Sequence, residues 1–160
     1  MRRTMLRLAV PLATAGLVAA VVAPGGSAQT PTGTTLSLVE KNAGSTSAFV
    51  DNTPHSRGTG AGDQVVLSLP LYDSAGSKRV GTVSGTCIVW RKPTSQEPPL
   101  ICQGVYALPG GDLIVAGRLT PGPDHLAIVG GTGVYAGARG TLDSTDTKTG
   151  TNDTITLLAS

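Results

Sequence analysis

The sequence predicts an all-β protein, an eight-stranded antiparallel up-and-down barrel. Eight short segments rich in Val, Leu and Ile recur at regular spacing, and turns containing Gly or Pro separate them. After the N-terminal segment, no stretch keeps a 3.6-residue apolar period over ten residues, which argues against helices. Only 14% of the residues are charged, while Gly, Ser and Thr are abundant, a composition that favours a secreted β domain.

The N-terminus has the features of a secretory signal peptide. Arg2, Arg3 and Arg7 precede an uncharged apolar run over 8–22, and small residues end at Ala28. A membrane anchor is the alternative, but the run is about 15 residues long and a spanning helix needs roughly 20. We therefore predict cleavage after Ala28 and a secreted, extracellular protein without a membrane segment in its mature form.

Removal of residues 1–28 changes the charge of the protein. Three of the 12 Lys and Arg residues leave, so that nine basic residues face ten acidic ones and the net charge of 29–160 is −1. A nearly neutral chain has no field to attract nucleic acid or anionic lipid, and one Phe, one Trp and three Tyr are too few for a base-stacking platform. The remaining length suits one barrel domain over 29–160.

The strands follow one another with short links. They are predicted over 34–42, 63–73, 79–90, 100–108, 112–120, 125–131, 139–145 and 151–159. Residues 43–62 are rich in Gly, Ser, Thr and Asn, and we predict a long loop there that could cross a barrel mouth.

The two cysteines, Cys87 and Cys102, predict a disulfide, because an even pair outside the cytosol is normally oxidised. The bond closes a loop of about 16 residues and would stabilise the fold by roughly 3 kcal/mol. If strands 79–90 and 100–108 form a hairpin, the two cysteines are directly opposed. The same register sets Gly85 against Gly104 and leaves space beside Tyr106.

The glycine-rich stretch 131–136 fits the G-x-G-x-x-A pattern of dinucleotide sites, and Asp153 lies about 20 residues further on. Only 24 residues follow Ala136, however, and none of them predicts the crossover helix that such a site needs. We therefore exclude a nucleotide enzyme and expect no cofactor.

The stretch "VGGTGVYAGARG" (129–140) instead resembles the G-G-T-G-x-[FY]-x-x-A-R-G signature of the dirigent and allene oxide cyclase superfamily. "LPLYDSAGSKRVGTVSGTC" (69–87) and "GGDLIVAGRL" (110–119) resemble other strands of that family, and the likeness covers 34–159. The resemblance implies an eight-stranded barrel with an apolar central pocket, and a homo-oligomer, dimer or trimer.

The chain departs from the plant members of that family at acidic positions. Plant dirigent proteins carry two acids before the Pro-Leu of the second strand, where this chain has Ser68 and Leu69. Val134 follows G-G-T-G, where plant members often have an acid. The resemblance therefore implies the fold without transferring the plant reaction.

Four residues are candidates for chemistry in the barrel. Tyr106 either donates a hydrogen bond to a ligand oxygen or fills the core, and Asp63 is a candidate proton acceptor. Arg139, which matches the arginine of the family signature, either serves the pocket or holds the glycine turn through backbone carbonyls. Arg118 either orients a ligand or lies solvated at the rim.

The other polar residues suggest no site. Asp73 begins a Ser/Gly turn and is expected to cap it. His55 and His125 are interpreted as surface residues, and two Cys with two distant His do not make a metal site. No G-x-S-x-G nucleophile motif occurs.

Two functions follow as hypotheses. In the first, the barrel binds a small hydrophobic, phenolic or lipid-like molecule in a central pocket and has cyclase- or isomerase-like, or stereo-directing, activity. In the second, it is a non-catalytic carrier or interaction module. A cavity of a few hundred Å³ with convergent polar groups would favour the first.

Overall fold

The structure, a computed structural model, describes residues 33–52, 58–93, 98–119 and 123–159. These residues form nine β-strands and one short 3-10 helix. In chain order they are β1 (Thr35–Lys41), β2 (Thr46–Val50), β3 (Gln64–Tyr72), β4 (Arg79–Val89), β5 (Leu100–Leu108), β6 (Gly111–Leu119), β7 (Asp124–Gly131), the 3-10 helix (Gly133–Tyr135), β8 (Gly140–Asp146) and β9 (Gly150–Leu157). None of the described helical residues forms a segment long and apolar enough to cross a membrane.

Eight of the strands form a closed antiparallel barrel. β3 to β9 pair with their sequence neighbours, and β1 lies between β9 and β3. The closing pairing sets Val39 opposite Tyr72 and Glu40 opposite Leu71. The predicted eight-stranded up-and-down barrel is therefore confirmed, and it arises because each short link returns the chain beside the strand it has just left.

A ninth strand lies within the segment predicted as a loop, so the loop prediction over 43–62 is wrong in part. After β1 the chain turns at Gly44, where φ is 86°, and Ser45 donates hydrogen bonds to the Asn42 carbonyl. β2 then continues along β3, pairing with Gln64–Ser68. All five residues of β2 are exposed, and a strand without an inward face gives no alternation of apolar residues for the sequence to show.

The cysteine hairpin has the predicted register. Cys87 lies opposite Cys102 in the β4–β5 ladder and the two form a disulfide, while Gly85 lies opposite Gly104. A Cβ atom at Gly85 would stand 2.7 Å from the Gln103 carbonyl oxygen, so the backbones approach too closely for any other residue. The disulfide and the facing glycines are thus confirmed together.

The core fills one end of the barrel. A buried cluster shares the inward faces of the barrel strands and comprises Leu38, Leu71, Val83, Tyr106, Leu113, Val115, Ile128, Leu142 and Ile155. Leu36, Leu108, Tyr135 and Leu157 pack against it from the end where β1 and β8 begin. This end is plugged by side chains, and space is left toward the opposite end, where β1 and β8 finish.

The glycine-rich stretch closes the plugged end. The Val134 N–H donates to the Gly110 carbonyl, and the Thr132 N–H donates to the Asp112 carbonyl, so the stretch packs on the β5–β6 turn. Gly133 has φ 58°, and a Cβ there would stand 2.0 Å from the Gly110 oxygen. Glycine is required here to let two turns meet, which explains the motif without a phosphate.

Candidate functional site

A cavity of about 340 Å³ occupies the end of the barrel opposite the plug. Its apolar wall comprises Leu67, Leu69, Val83, Val115, Leu119 and Leu126, together with the Cys87–Cys102 disulfide. Its polar side comprises Glu40, Tyr106, Asp124, Ser144, Asp146 and Thr151. The facing pair Gly85 and Gly104 also lines the cavity, and their missing side chains leave part of this space open.

Most of the polar side arises from three neighbouring strands, β1, β9 and β8. On each strand the inward residues change from apolar to polar toward the same end, in the rows Leu36–Leu38–Glu40, Ile155–Asp153–Thr151 and Leu142–Ser144–Asp146. The ladder sets Leu38 and Ser144 on either side of Asp153. Because alternate residues of a strand share a face, the three rows bring carboxyl and hydroxyl groups together.

Tyr106 connects this polar side to the opposite wall. Its side chain extends from β5 across the interior and is 3% exposed. The hydroxyl lies 2.8 Å from Glu40 Oε1 and 2.9 Å from Asp153 Oδ2. The Tyr106 ring joins the core cluster, as the core-filling interpretation expects, while its hydroxyl contacts two acids of the protein.

The hydrogen count requires a proton on one of the two acids. A phenol has one hydrogen and can donate to one oxygen only, so the other carboxyl must be protonated to act as a partner. Burial, then the neighbouring Asp153 charge, raises the pKa of Glu40 from 4.5 to about 8. Burial, then the charges of Asp153 and Glu40, raises the pKa of Tyr106 well above its usual value. Glu40 is therefore the acid that holds a proton near neutral pH.

Ser144 favours the charged form of Asp153. The Ser144 hydroxyl donates to Asp153 Oδ1 at 2.7 Å, so Asp153 has two hydroxyl neighbours. Burial raises the pKa of Asp153, and the hydrogen bond from Ser144 is the largest influence in the opposite direction. The two acids are thus unequal, since a hydroxyl that only Asp153 contacts supports its charged form.

Sequence reasoning missed Glu40 as a site residue and considered Asp153 only as part of a rejected nucleotide site. Each stands at a polar end of an otherwise apolar inward row, and this break in the alternation was the available signal. It could not be interpreted without the barrel closure that places β1 beside β9.

Asp63 has a different place from the one predicted. It is fully buried, and its carboxylate accepts hydrogen bonds from the backbone N–H groups of Gly60, at 2.7 Å, and Asn52, at 2.9 Å. It is not among the described residues that line the cavity. Asp63 therefore joins the chain on either side of residues 53–57 and is not placed to accept a proton from a ligand in the cavity.

The two candidate arginines lie outside the cavity. Leu113 and Val115 point inward from β6, so Arg118 points outward, where it is exposed and its guanidinium lies 5.8 Å from the Trp90 ring. Arg139 stands at the plugged end, and its guanidinium donates to the Ala138 carbonyl at 2.8 Å. That contact matches the interpretation in which Arg139 holds the glycine turn, beside a surface groove of about 560 Å³.

The positions that carry acids in plant dirigent proteins do not supply the acids of this cavity. Leu69 lines the apolar wall of the cavity, while Ser68 points outward and its hydroxyl lies 3.0 Å from that of Ser84. Val134 is 76% exposed at the plugged end, away from the cavity. The carboxyl groups of the cavity enter from other strands.

Of the remaining polar residues discussed above, Asp73 and His125 lie outside the cavity. Asp73 accepts hydrogen bonds from the N–H groups of Ser77 and Lys78, which closes the β3–β4 turn and lowers its pKa. His125 is hydrogen-bonded to Asp143 on the outer surface, and His55 lies outside the described residues. In the described part of the chain, no three His, Cys, Asp or Glu side chains converge as metal ligands would.

Comparisons with known proteins agree with the barrel. No protein-family model matches the sequence, and no curated protein matches it. Among solved structures, a pyocyanin demethylase has a TM-score of 0.66 at 28% identity, covering 78% of this chain and 99% of that one. The pterocarpan synthase dirigent protein GePTS1 has a TM-score of 0.57 at 21% identity, covering 86% and 96%.

A third solved structure is a cycloaddition enzyme, the Diels-Alderase AbmU from Streptomyces koyangensis. Its TM-score is 0.56 at 15% identity, covering 79% of this chain and 69% of that one. The similar structures thus include a demethylase, a dirigent protein and a cycloaddition enzyme. Together they confirm the fold, because this chain has the same barrel fold as these three proteins.

Proposed function

We propose that the barrel binds a small, largely hydrophobic molecule in its cavity and catalyses a cyclase- or isomerase-like, or stereo-directing, reaction on it without a cofactor. The observation that carries the proposal is the Glu40–Tyr106–Asp153 arrangement at the polar side of an apolar cavity. An apolar pocket with a few convergent polar groups and perturbed acids is the usual form of an active site.

Glu40 is the proposed general acid. It lines the cavity and holds its proton near neutral pH, so it can donate that proton to an oxygen of the ligand. The Glu40 carboxylate that results is stabilised by the Tyr106 hydroxyl, which then donates to it. The proton returns to Glu40 when the rearranged ligand releases it, so an isomerisation is balanced without any other reactant. The apolar wall contributes by holding the ligand in one reactive conformation.

A non-catalytic carrier is the alternative on the same cavity. A carrier needs the apolar wall but gains nothing from two adjacent acids whose pKa values burial raises, and the desolvation of these acids costs stability. This cost favours the catalytic proposal, because such groups usually persist where they have a task.

The similarity to a pyocyanin demethylase favours a second candidate reaction, demethylation of a small aromatic molecule. That structure matches over 99% of its own length. Incubation of the protein with pyocyanin, followed by mass spectrometry of the products, tests it directly. Unchanged pyocyanin would remove this candidate while leaving the cyclase-like proposal in place.

The proposal also covers the compartment and the oligomeric state of the protein. The predicted signal peptide 1–28 lies outside the described residues, and the Cys87–Cys102 disulfide supports an oxidising compartment. We propose that the mature protein is secreted and forms a dimer or trimer. N-terminal sequencing of exported protein and light scattering of the purified chain test these two points.

Native mass spectrometry after exposure to lipid and phenolic extracts tests binding. We expect one class of small molecule to be retained by the wild type and by Glu40→Gln, whose side chain keeps nearly the same shape. Conversion of the retained molecule should be lost in Glu40→Gln and kept in Asp143→Asn, a control on the outer surface. Retention without conversion by the wild type would favour the carrier, and no retention from either extract would contradict a pocket function.

A further inference from the structure

The polar side of the cavity is acidic, and we infer that the cavity selects ligands whose polar end is cationic or neutral and rejects ligands whose polar end is a carboxylate or another anion. The inference rests on the proposed function, because it presupposes that a ligand enters this cavity. It adds the chemical class of that ligand, which neither the fold nor the similar structures specify.

The acidic groups of the polar side extend from the inner part of the cavity to its mouth. Glu40 and Tyr106 form the inner part, with Asp153 buried directly behind the Tyr106 hydroxyl. Asp146 and Asp124 line the cavity nearer its mouth, where Asp146 Oδ1 accepts a hydrogen bond from the Thr151 hydroxyl at 3.2 Å. Even with a proton on Glu40, this side of the cavity carries negative charge.

Three cations that could have balanced this charge, Lys41, Arg118 and Arg139, lie outside the cavity. None of the described cavity-lining residues is Lys, Arg or His. Lys41 follows Glu40 but lies on the other face of β1, with its ammonium 4.3 Å from the Tyr72 ring. Arg118 lies outside against Trp90, and Arg139 is at the plugged end. A carboxylate in the cavity would therefore meet the acids of the polar side, and no described Lys, Arg or His lines the cavity beside it.

The consequence for a ligand follows from the shape of the cavity. Its apolar wall receives the body of the molecule, and its carboxyl groups gather on one side, where they meet a polar end. An anion there loses its water and gains like-charge repulsion, whereas an ammonium or hydroxyl group finds acceptors on Asp146 and Glu40. Selection between ligands of equal shape then comes from repulsion of the wrong charge.

Three probes of one shape and different charge test the inference. They are 2-naphthylmethylamine, an ammonium at pH 7, the neutral 2-naphthylmethanol, and the anion 2-naphthoate, each titrated against the full protein by calorimetry at low salt. We expect the amine to bind at least roughly tenfold more tightly than the carboxylate, with the alcohol between them. Equal or tighter binding of naphthoate would overturn the inference and leave the proposed ligand-binding function standing.

A matched pair of variants locates the effect. Asp146→Asn removes a charge from the cavity, and Asp143→Asn removes one from the outer surface of the same strand. The ratio of amine to carboxylate affinity should fall about threefold or more in the first variant and stay unchanged in the second. Equal effects in both variants would also overturn the inference, and no binding of any probe up to millimolar concentration would contradict the proposed function itself.

Discussion

The substitution Glu40→Gln should remove most of the dependence of stability on pH. The folded-state pKa of Glu40, about 8, exceeds its unfolded value of 4.5, so the native state binds more protons than the unfolded state between these values. The sign follows from linkage. Protonated Glu40 gives its full contribution to stability below pH 4.5, and that contribution is lost as the pH rises through 8.

The structure sets the magnitude of this loss. A pKa raised from 4.5 to about 8 corresponds to roughly 5 kcal/mol, approached with a slope of at most about 1.4 kcal/mol per pH unit. Because Glu40 is only partly buried beside the buried Asp153, solvent screens part of this energy. Gln keeps a donor and an acceptor beside Tyr106 but cannot ionise, so the variant should match the wild type near pH 5 and exceed it by several kcal/mol at pH 9.

Urea unfolding from pH 5 to pH 9, with the disulfide intact, measures the effect. The wild-type free energy of unfolding should fall with pH, and Asp143→Asn should follow the wild type because its charge is on the outer surface. Some slope should persist in Glu40→Gln, since burial also raises the pKa of Asp153. Parallel curves for the wild type and Glu40→Gln across the whole range would refute the reasoning about a protonated Glu40.

Three further substitutions test other parts of the structure. Tyr106→Phe should cost about 1–3 kcal/mol of unfolding free energy, because it removes the hydroxyl that contacts the partly buried Glu40 and the buried Asp153; a cost within 0.5 kcal/mol would contradict the hydrogen bonds. Replacing Cys87 and Cys102 by Ala should cost about 2–4 kcal/mol, and alkylation of the unfolded, unreduced wild type should label neither cysteine. Asp63→Ala should cost about 2–4 kcal/mol in thermal unfolding while leaving probe affinity unchanged, since Asp63 binds backbone N–H groups outside the cavity.

Most of the barrel could be predicted because its signals are local. Alternating apolar residues define each barrel strand, and Gly and Pro mark the links, so the eight barrel strands required no long-range information. The Cys87–Cys102 register followed from the same alternation within one hairpin. β2 escaped prediction because all its residues are exposed, and only its pairing with β3 makes it a strand.

The candidate site was predicted only in part. Of the candidate residues named from the sequence, Tyr106 is the one that lines the cavity. For Arg118 the sequence left a ligand contact and a solvated rim position open, because alternation along one strand does not say which face points outward. Arg139 came from a motif that closes the plugged end. A side chain's distance from a cavity depends on which faces close around it, and a single strand does not contain that information.

The sequence by itself determined the all-β class, the strand order along the chain and the cysteine pairing, because each depends on residues within a hairpin of one another. The tertiary structure alone decided the chemistry of the cavity. Glu40 and Asp153 come from the first and last strands and meet only because β1 closes the barrel between β9 and β3. The burial that raises their pKa values is likewise a property of the closed barrel, since an open sheet would leave both carboxyls in water.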